Sequence, residues 1–152
     1  MGNKIKYFRL FDVNVNRARE GLRVIEDTVR FVIPEKNNIK NKLFTRIKKI
    51  RHKLSGIIVT VYPGLITMRD TASDTGRIQK EKNRKSLQGI VISNFRRIQE
   101  SFRVLEEYSK LVVPDAAIKF KALRFKVYEI EQKVYESLTN INYDHNRFSK
   151  KE

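Results

Sequence analysis

Residues 14–35 read NVNRAREGLRVIEDTVRFVIPE, and residues 94–115 read NFRRIQESFRVLEEYSKLVVPD. Eight of the 22 aligned positions are identical at a constant offset of 80 residues: Asn14/Asn94, Arg17/Arg97, Glu20/Glu100, Arg23/Arg103, Val24/Val104, Glu26/Glu106, Val32/Val112 and Pro34/Pro114. A repeat at a fixed offset indicates one structural unit that the chain uses twice. Because polar and charged residues are retained along with apolar ones, the repeat predicts shared chemistry as well as shared packing.

The apolar residues within each copy predict a helix. In the first copy Leu22, Ile25 and Val29 recur at steps of three and four residues, and Pro34 ends the pattern. The second copy carries an equivalent apolar series that ends at Pro114. We therefore expect helices over residues 12–33 and 92–112, related by an approximate internal two-fold axis.

A second apolar stripe follows each copy. The first begins after Asn37 or Asn38, and the second begins after Asp115, a candidate N-cap. Each half of the chain is therefore predicted to be a helical hairpin. Since two hairpins must bury their apolar stripes against each other, the sequence predicts an all-α helical bundle made of two repeated hairpins.

We expect a single domain over residues 1–138, followed by a polar C-terminal tail over residues 139–152. An irregular loop over about residues 56–78 should separate the hairpins. Residues 57–61 within it are all β-branched, so this run predicts either a strand or the end of the second helix. A loop of this length inside a compact domain is usually functional or disordered.

The composition limits the classes of function. The 152 residues carry a net charge of +16, no cysteine, no membrane-length apolar run and no signal-peptide core at the N-terminus. A cytoplasmic protein without a membrane partner is expected. The charge favours a generally basic surface or a site for an anionic small molecule. Nucleic-acid binding is disfavoured, because the sequence has no zinc-finger spacing or aromatic RNA-binding signature.

A polar stripe on the first predicted helix is the first candidate for a site. It consists of Asn16, Glu20, Arg23 and Asp27, at steps of four, three and four residues, almost opposite the apolar face. The stripe is either a solvated face with weak ion pairs or one wall of a shared polar cleft. Its retention in the repeat favours the cleft, so the glutamate and arginine of both copies should converge: Glu20, Arg23, Glu100 and Arg103.

The segment RDTASDTG, residues 69–76, is the second candidate. Asp70 and Asp74 can both face a hydrated Mg²⁺, and Arg69 can form paired hydrogen bonds to a phosphate. An Asp/Ser/Gly turn that caps the next helix is an equally good interpretation. The sequence contains no P-loop and no GxGxxG motif, so a nucleotide would be held by side chains or helix ends.

These motifs resemble a small family of thiamine-biosynthesis proteins, the monofunctional kinases of hydroxymethylpyrimidine phosphate. Members occur alone or fused to the N-terminal side of thiamine-phosphate synthase. The resemblance rests on DVNVNRAREGLRVIEDTVRF, RDTASDTG and NFRRIQESFRVLEEYSKL, and covers about residues 9–131. Val13 and Ser93 replace the family's usual alanines. The motif positions fall on Asp12, Asn14, Asn16, Arg17, Glu20, Arg23, Glu26, Asp27, Arg69, Asp70, Asp74, Gly76, Asn94, Arg97, Glu100, Arg103, Glu106 and Glu107.

The resemblance implies that ATP phosphorylates the monophosphate of 4-amino-5-hydroxymethyl-2-methylpyrimidine to its diphosphate. The implied cofactors are ATP and Mg²⁺, and thiamine-phosphate synthase is a candidate partner. A non-enzymatic basic helical adaptor that binds RNA or a thiamine-biosynthesis enzyme is the alternative. The sequence leaves a homo-oligomer open as well as a monomer.

Physical chemistry suggests roles for the motif residues. We expect Arg23, Arg69 and Arg103 to bind phosphates, and Asp70 and Asp74 to hold Mg²⁺. Glu20 and Glu100 are expected to orient an arginine or meet the pyrimidine amino group. The remaining motif residues are expected to bind substrate: Asn14, Asn16, Arg17, Glu26, Asp27, Asn94, Arg97, Glu106 and Glu107.

Overall fold

The computed structural model describes residues 2–78, 80 and 83–148. The helices are α1 (Gly2–Phe31), α2 (Ile39–Ile58), α3 (Tyr62–Thr67), α4 (Leu87–Val112) and α5 (Pro114–Phe148), and a 3-10 turn spans Thr75–Ile78. No strand occurs in this part of the chain, so the all-α prediction is confirmed. None of the described helices has the length and apolarity that crossing a membrane requires.

Three helices start at residues other than those predicted from the sequence. Helix α1 starts at Gly2 instead of residue 12, because Phe8 and Phe11 extend its apolar face toward the N-terminus. Helix α4 starts at Leu87, where the Ser86 hydroxyl accepts a hydrogen bond of 3.0 Å from the Gly89 amide. Helix α5 starts at Pro114, so Asp115 lies in its first turn and not at its N-cap.

The connection between the hairpins is partly helical. Helix α2 continues to Ile58, so of the two interpretations of residues 57–61 the helix end is correct. Helix α3 lies within the predicted loop and buries Leu65 completely. At the other end of the chain, α5 runs past residue 138 to Phe148, and residues 149–152 lie outside the described part.

Two asparagines shape the turn between α1 and α2. Asn37 and Asn38 have φ angles of 50° and 59°, in the left-handed region. Asparagine tolerates this conformation better than most residues other than glycine, because its short side chain hydrogen-bonds locally. The Asn-Asn pair therefore allows the chain to reverse within a few residues and lay α2 along α1.

The core repeats with the sequence. Helix α4 packs against both α1 and α5, and α2 covers the remaining side of the bundle. Residues at the 80-residue offset are buried in both copies: Val15/Phe95, Ala18/Ile98, Leu22/Phe102, Ile25/Leu105 and Glu26/Glu106. Hydrogen bonds repeat too, since the Asn14 and Asn94 side-chain amides each donate to the carbonyl four residues earlier, at 2.9 Å. These paired environments agree with an internal two-fold relation.

Helices α1 and α4 are in close contact at Gly21. A Cβ atom at this position would lie 2.7 Å from Ile98 Cγ1 and 3.2 Å from the Asn94 carbonyl oxygen. The second copy has Ser101 at the equivalent position, also buried. The glycine in the first copy therefore sets how near the two repeats come to each other.

Candidate active site between the repeats

A cavity of about 840 Å³ lies where the two repeats meet. Helices α1 and α4 form two of its walls, and the segment between the hairpins forms a third. Three pairs of repeat-equivalent residues line it: Val13/Ser93, Arg17/Arg97 and Glu20/Glu100. The two copies thus build one cavity together.

The segment after α3 supplies the third wall, with Thr71, Asp74, Gly76, Arg77 and Lys80. On the α1 side an adjoining cavity of about 720 Å³ shares Val13, Asn14, Arg17, Glu20, Thr71 and Asp74 with the first. It extends toward the N-terminal half of α1 and residues 69–75. Among the described residues, this second cavity extends the accessible space on the α1 side.

The charge of the larger cavity suits an anion. Five basic and three acidic side chains line it: Arg17, Arg77, Lys80, Arg96 and Arg97, with Glu20, Asp74 and Glu100. Among the described residues, no carboxylate is within ion-pair distance of Arg17 or Arg96. Cations without a protein counter-ion attract phosphate groups into a cleft.

An ion pair with a buried carboxylate fixes the third wall to α1. Arg69 donates two hydrogen bonds of 2.6 Å to the two oxygens of Asp12, whose side chain is 4% exposed. The hydrogen bonds to Asp12 raise the pKa of Arg69 above its usual range. Arg69, expected from the sequence to bind phosphate, thus has its guanidinium engaged with Asp12. Asn16, which lines the adjoining cavity, donates to the same carboxylate at 3.3 Å.

Asp70 and Asp74 organise the turns of this wall. The Asp70 carboxylate accepts hydrogen bonds from the Ser73 amide and hydroxyl and lies 3.3 Å from the Arg9 guanidinium. These bonds, led by the Ser73 hydroxyl, lower the pKa of Asp70. Asp74 accepts from the Gly76 amide at 2.8 Å, just before the 3-10 turn. The two carboxylates therefore form the hydrogen bonds of an Asp/Ser/Gly turn, the second of the two interpretations of this segment.

The structure places Arg23 and Arg103 outside the cavity. Arg23 contacts Glu26 at 3.2 Å, and Arg51 of α2 donates to the same carboxylate at 2.8 and 3.3 Å. In the second copy Arg103 and Arg124 hold Glu106 in the same way. These two networks join the helices within each hairpin. Of the four side chains predicted to converge on one cleft, Glu20 and Glu100 line the cavity. Arg23 and Arg103 do not.

Helix geometry explains this difference. Residues 13, 17 and 20 face the cavity at steps of four and three, whereas Arg23, six residues after Arg17, lies about 120° away from it around α1. Asp27 is half-buried on α1 and lines neither cavity. In the second copy Glu107 binds Arg103 and Lys110, and the hydrogen bond from Lys110 lowers the pKa of Glu107.

Sequence reasoning missed several residues that the structure brings to these sites. Arg9, Arg77, Lys80 and Arg96 line the cavities, and no motif or spacing distinguished them from other surface cations. Arg51 and Arg124 complete the two buried networks. The retained Glu26/Glu106 pair was a signal for them, because a buried carboxylate requires a cationic partner.

The chain is similar to known proteins over most of its length. The profile of the ThiD2 family matches residues 9–133. A thiamine-phosphate synthase from Nostoc punctiforme is 39% identical over 127 residues, which cover 82% of this chain and 34% of the relative. The Gloeobacter violaceus protein of the same name is 39% identical over 126 residues, covering 81% and 35%. No solved structure matches the sequence significantly.

A third relative also matches most of this chain over only part of its own length. The thiamine-phosphate synthase of Synechococcus sp. strain CC9311 is 34% identical over 135 residues, covering 88% of this chain and 36% of the relative. The chain therefore spans about a third of the length of the curated relatives it matches. The family profile covers most of the sequence, including both copies of the repeat and the wall between them. The chain belongs to the ThiD2 family.

Proposed function

We propose that the protein transfers the γ-phosphoryl group of ATP to the monophosphate of 4-amino-5-hydroxymethyl-2-methylpyrimidine, forming the diphosphate for thiamine biosynthesis. The observation that carries the proposal is the cavity between the repeats, lined by arginines and glutamates from both copies. Family membership supports it, because the curated relatives are named thiamine-phosphate synthases. A synthase of that kind would consume the diphosphate, which makes it the proposed partner.

The chemistry suits a site without a strong general base. The acceptor is a phosphate oxygen that already carries negative charge at neutral pH, so positioning and charge stabilisation supply most of the rate. Arg17 and Arg97 flank the cavity from opposite helices and would hold the two phosphate chains in line. Lys80 and Arg77 add positive charge from the third wall.

The residues of the third wall fit a magnesium ion that is bound mainly by the substrates. Mg²⁺ usually takes one or two carboxylates together with phosphate oxygens, and it polarises the transferred phosphoryl group when bound. Among the described residues there is no cluster of three or more metal-ligating side chains. We propose Asp74 and Asp70 as ligands. Asp74 is better placed, because Ser73 and Arg9 already engage the Asp70 carboxylate.

The direct test is an assay of the purified chain with Mg²⁺, ATP and the pyrimidine monophosphate, with the diphosphate detected by mass spectrometry. Arg17→Ala should lower kcat/KM by about a hundredfold or more, because a charge-assisted contact to a transferring phosphoryl group is lost. Lys48→Ala, an exposed change on α2, is the matched control and should keep wild-type turnover. Absence of diphosphate with the wild-type protein would overturn the proposal.

A basic adaptor is the second candidate, and one contact favours it. Lys53 on α2 lies beside Lys126 on α5, and hydrogen bonding to Lys126 together with charge repulsion lowers the pKa of Lys53. Two adjacent ammonium groups on a chain of net charge +16 would attract a polyanion such as RNA. Lys53→Ala together with Lys126→Ala should weaken RNA binding under this hypothesis and leave phosphoryl transfer intact under the first.

A further inference from the structure

The cavity has two walls that are copies of each other and a third that is not. Arg17 and Glu20 of α1 face Arg97 and Glu100 of α4 across one space. A cavity of this kind offers two similar half-sites, each with one guanidinium and one carboxylate. Two half-sites of this kind suit ATP and the pyrimidine monophosphate, because each ligand presents a phosphate and an amino-substituted base.

The third wall makes the half-sites unequal. Residues 69–75 are fixed to α1 by the pair between Asp12 and Arg69, and Gly76 brings the backbone close to the Arg17 guanidinium. The adjoining cavity of about 720 Å³ opens beside α1 and includes Glu20 but not Glu100. Among the residues that the structure describes, the α1 half therefore has additional room for a larger ligand.

We propose that the two repeats divide the substrates between them, an inference that rests on the proposed function. The α1 copy binds the nucleoside triphosphate, with Glu20 accepting a hydrogen bond from the adenine amino group. The α4 copy binds the pyrimidine monophosphate, with Glu100 accepting from the 4-amino group. The phosphates meet between Arg17 and Arg97, so the γ-phosphoryl group passes from one half of the repeat to the other.

The glutamates supply a matched pair of variants. Both side chains are exposed, and neither has an ion-pair partner among the described residues, so replacing them by alanine should leave the fold intact. Glu20→Ala should weaken ATP binding by about tenfold or more, the loss expected for one charge-assisted hydrogen bond, and leave binding of the pyrimidine monophosphate unchanged. Glu100→Ala should do the reverse.

Inosine triphosphate gives a second readout that a purely structural role would not change. It carries a carbonyl oxygen where adenine carries its amino group, so a facing carboxylate should disfavour it. Wild-type protein and Glu100→Ala should prefer ATP over inosine triphosphate by about tenfold, and Glu20→Ala should lose that preference.

Calorimetric titration of ATP and the pyrimidine monophosphate, each alone with Mg²⁺, separates this inference from the proposed function. If both ligands bind but each variant weakens both equally, the division is overturned while turnover still supports the kinase. If Glu20→Ala weakens binding of the pyrimidine monophosphate alone and Glu100→Ala weakens binding of ATP alone, the assignment of the ligands to the two repeats is wrong. A split as expected without turnover would support the division of ligands and overturn the kinase. If neither ligand binds wild-type protein, both proposals fail.

Discussion

Asp12 is an almost fully buried carboxylate in α1, and Arg69, just after α3, supplies two short hydrogen bonds to it. The pair is what attaches the third wall to the first repeat. An ionised group in this position requires a partner, because burying an unpaired charge is costly. The role of Arg69 is therefore to position residues 70–76, which in turn line the cavity.

Arg69→Ala should lower the free energy of unfolding by about 1–3 kcal/mol. The estimate is below the value for a fully buried pair, because the Arg69 side chain is 37% exposed and water can reach the carboxylate that is left behind. Urea denaturation would measure the change. Arg9→Ala is the control, and it should cost less than about 1 kcal/mol, since its partner Asp70 is 41% exposed and water can solvate the carboxylate that is left. If both substitutions lowered the free energy of unfolding equally, the Arg69–Asp12 and Arg9–Asp70 pairs would contribute equally to holding residues 69–76 on α1.

The first buried network gives a second prediction at this scale. Arg23→Ala should cost less than about 1 kcal/mol, because Arg23 is 54% exposed and Glu26 keeps both hydrogen bonds from Arg51. Arg51→Ala leaves that carboxylate with one bond and should cost about 1–3 kcal/mol. Thermal melting of both variants would separate them. Turnover of Arg23→Ala should stay within about twofold of wild type. A large drop in turnover would instead return Arg23 to the phosphate-binding residues.

At the scale of helices, the contact between α1 and α4 depends on the absence of a side chain at Gly21. Gly21→Ala should lower stability by about 1–3 kcal/mol, because the new methyl group would lie 2.7 Å from Ile98 Cγ1. Gly56→Ala in α2 is the matched control. Its new methyl group meets nothing within 4 Å, so the change should stabilise the protein by about 0.5–1 kcal/mol through helix propensity. If Gly21→Ala also stabilised the protein, α1 and α4 would be able to move apart at little cost and the prediction would be wrong.

The sequence predicted the helices well because their information is local. The spacing of Leu22, Ile25 and Val29, together with the repeat, identified which face is buried. The composition of the cavity was harder to predict. Whether Arg23 or Arg17 faces α4 depends on the crossing of two helices, which Gly21 helps to set. Similarly, the partners of Arg69 and Glu26 lie 57 and 25 residues away in the chain, where no spacing rule connects them.

For the molecule as a whole, we predict strong selectivity between two acceptors. The pyrimidine monophosphate should be phosphorylated, and the free alcohol should react slowly or not at all. Several cations in the cavity have no counter-ion among the described residues, and the substrate's phosphate supplies one. Leaving them unpaired in a partly dehydrated cleft costs a few kcal/mol, or about a hundredfold to several thousandfold in rate.

A side-by-side assay at equal concentration of the two pyrimidines, with Mg²⁺ and ATP, would measure this selectivity. Comparable kcat/KM values would contradict a cleft that depends on the acceptor's charge. The Lys48→Ala variant should show the same ratio as wild type, because the residue is exposed on α2 and does not line either cavity.

The stretch that joins α2 to α4 occurs once in the chain, whereas the helical hairpin occurs twice. A noncovalent pair of identical hairpins would present the same surface at both ends of the groove between them, because symmetry makes the ends indistinguishable. Joining the hairpins in one chain provides an unpaired third side, pinned to α1 by Asp12 and Arg69. Substitutions in either copy can then alter one end of the groove alone. The stretch that joins α2 to α4 therefore makes the two ends of the groove different, although the hairpins that form it are copies.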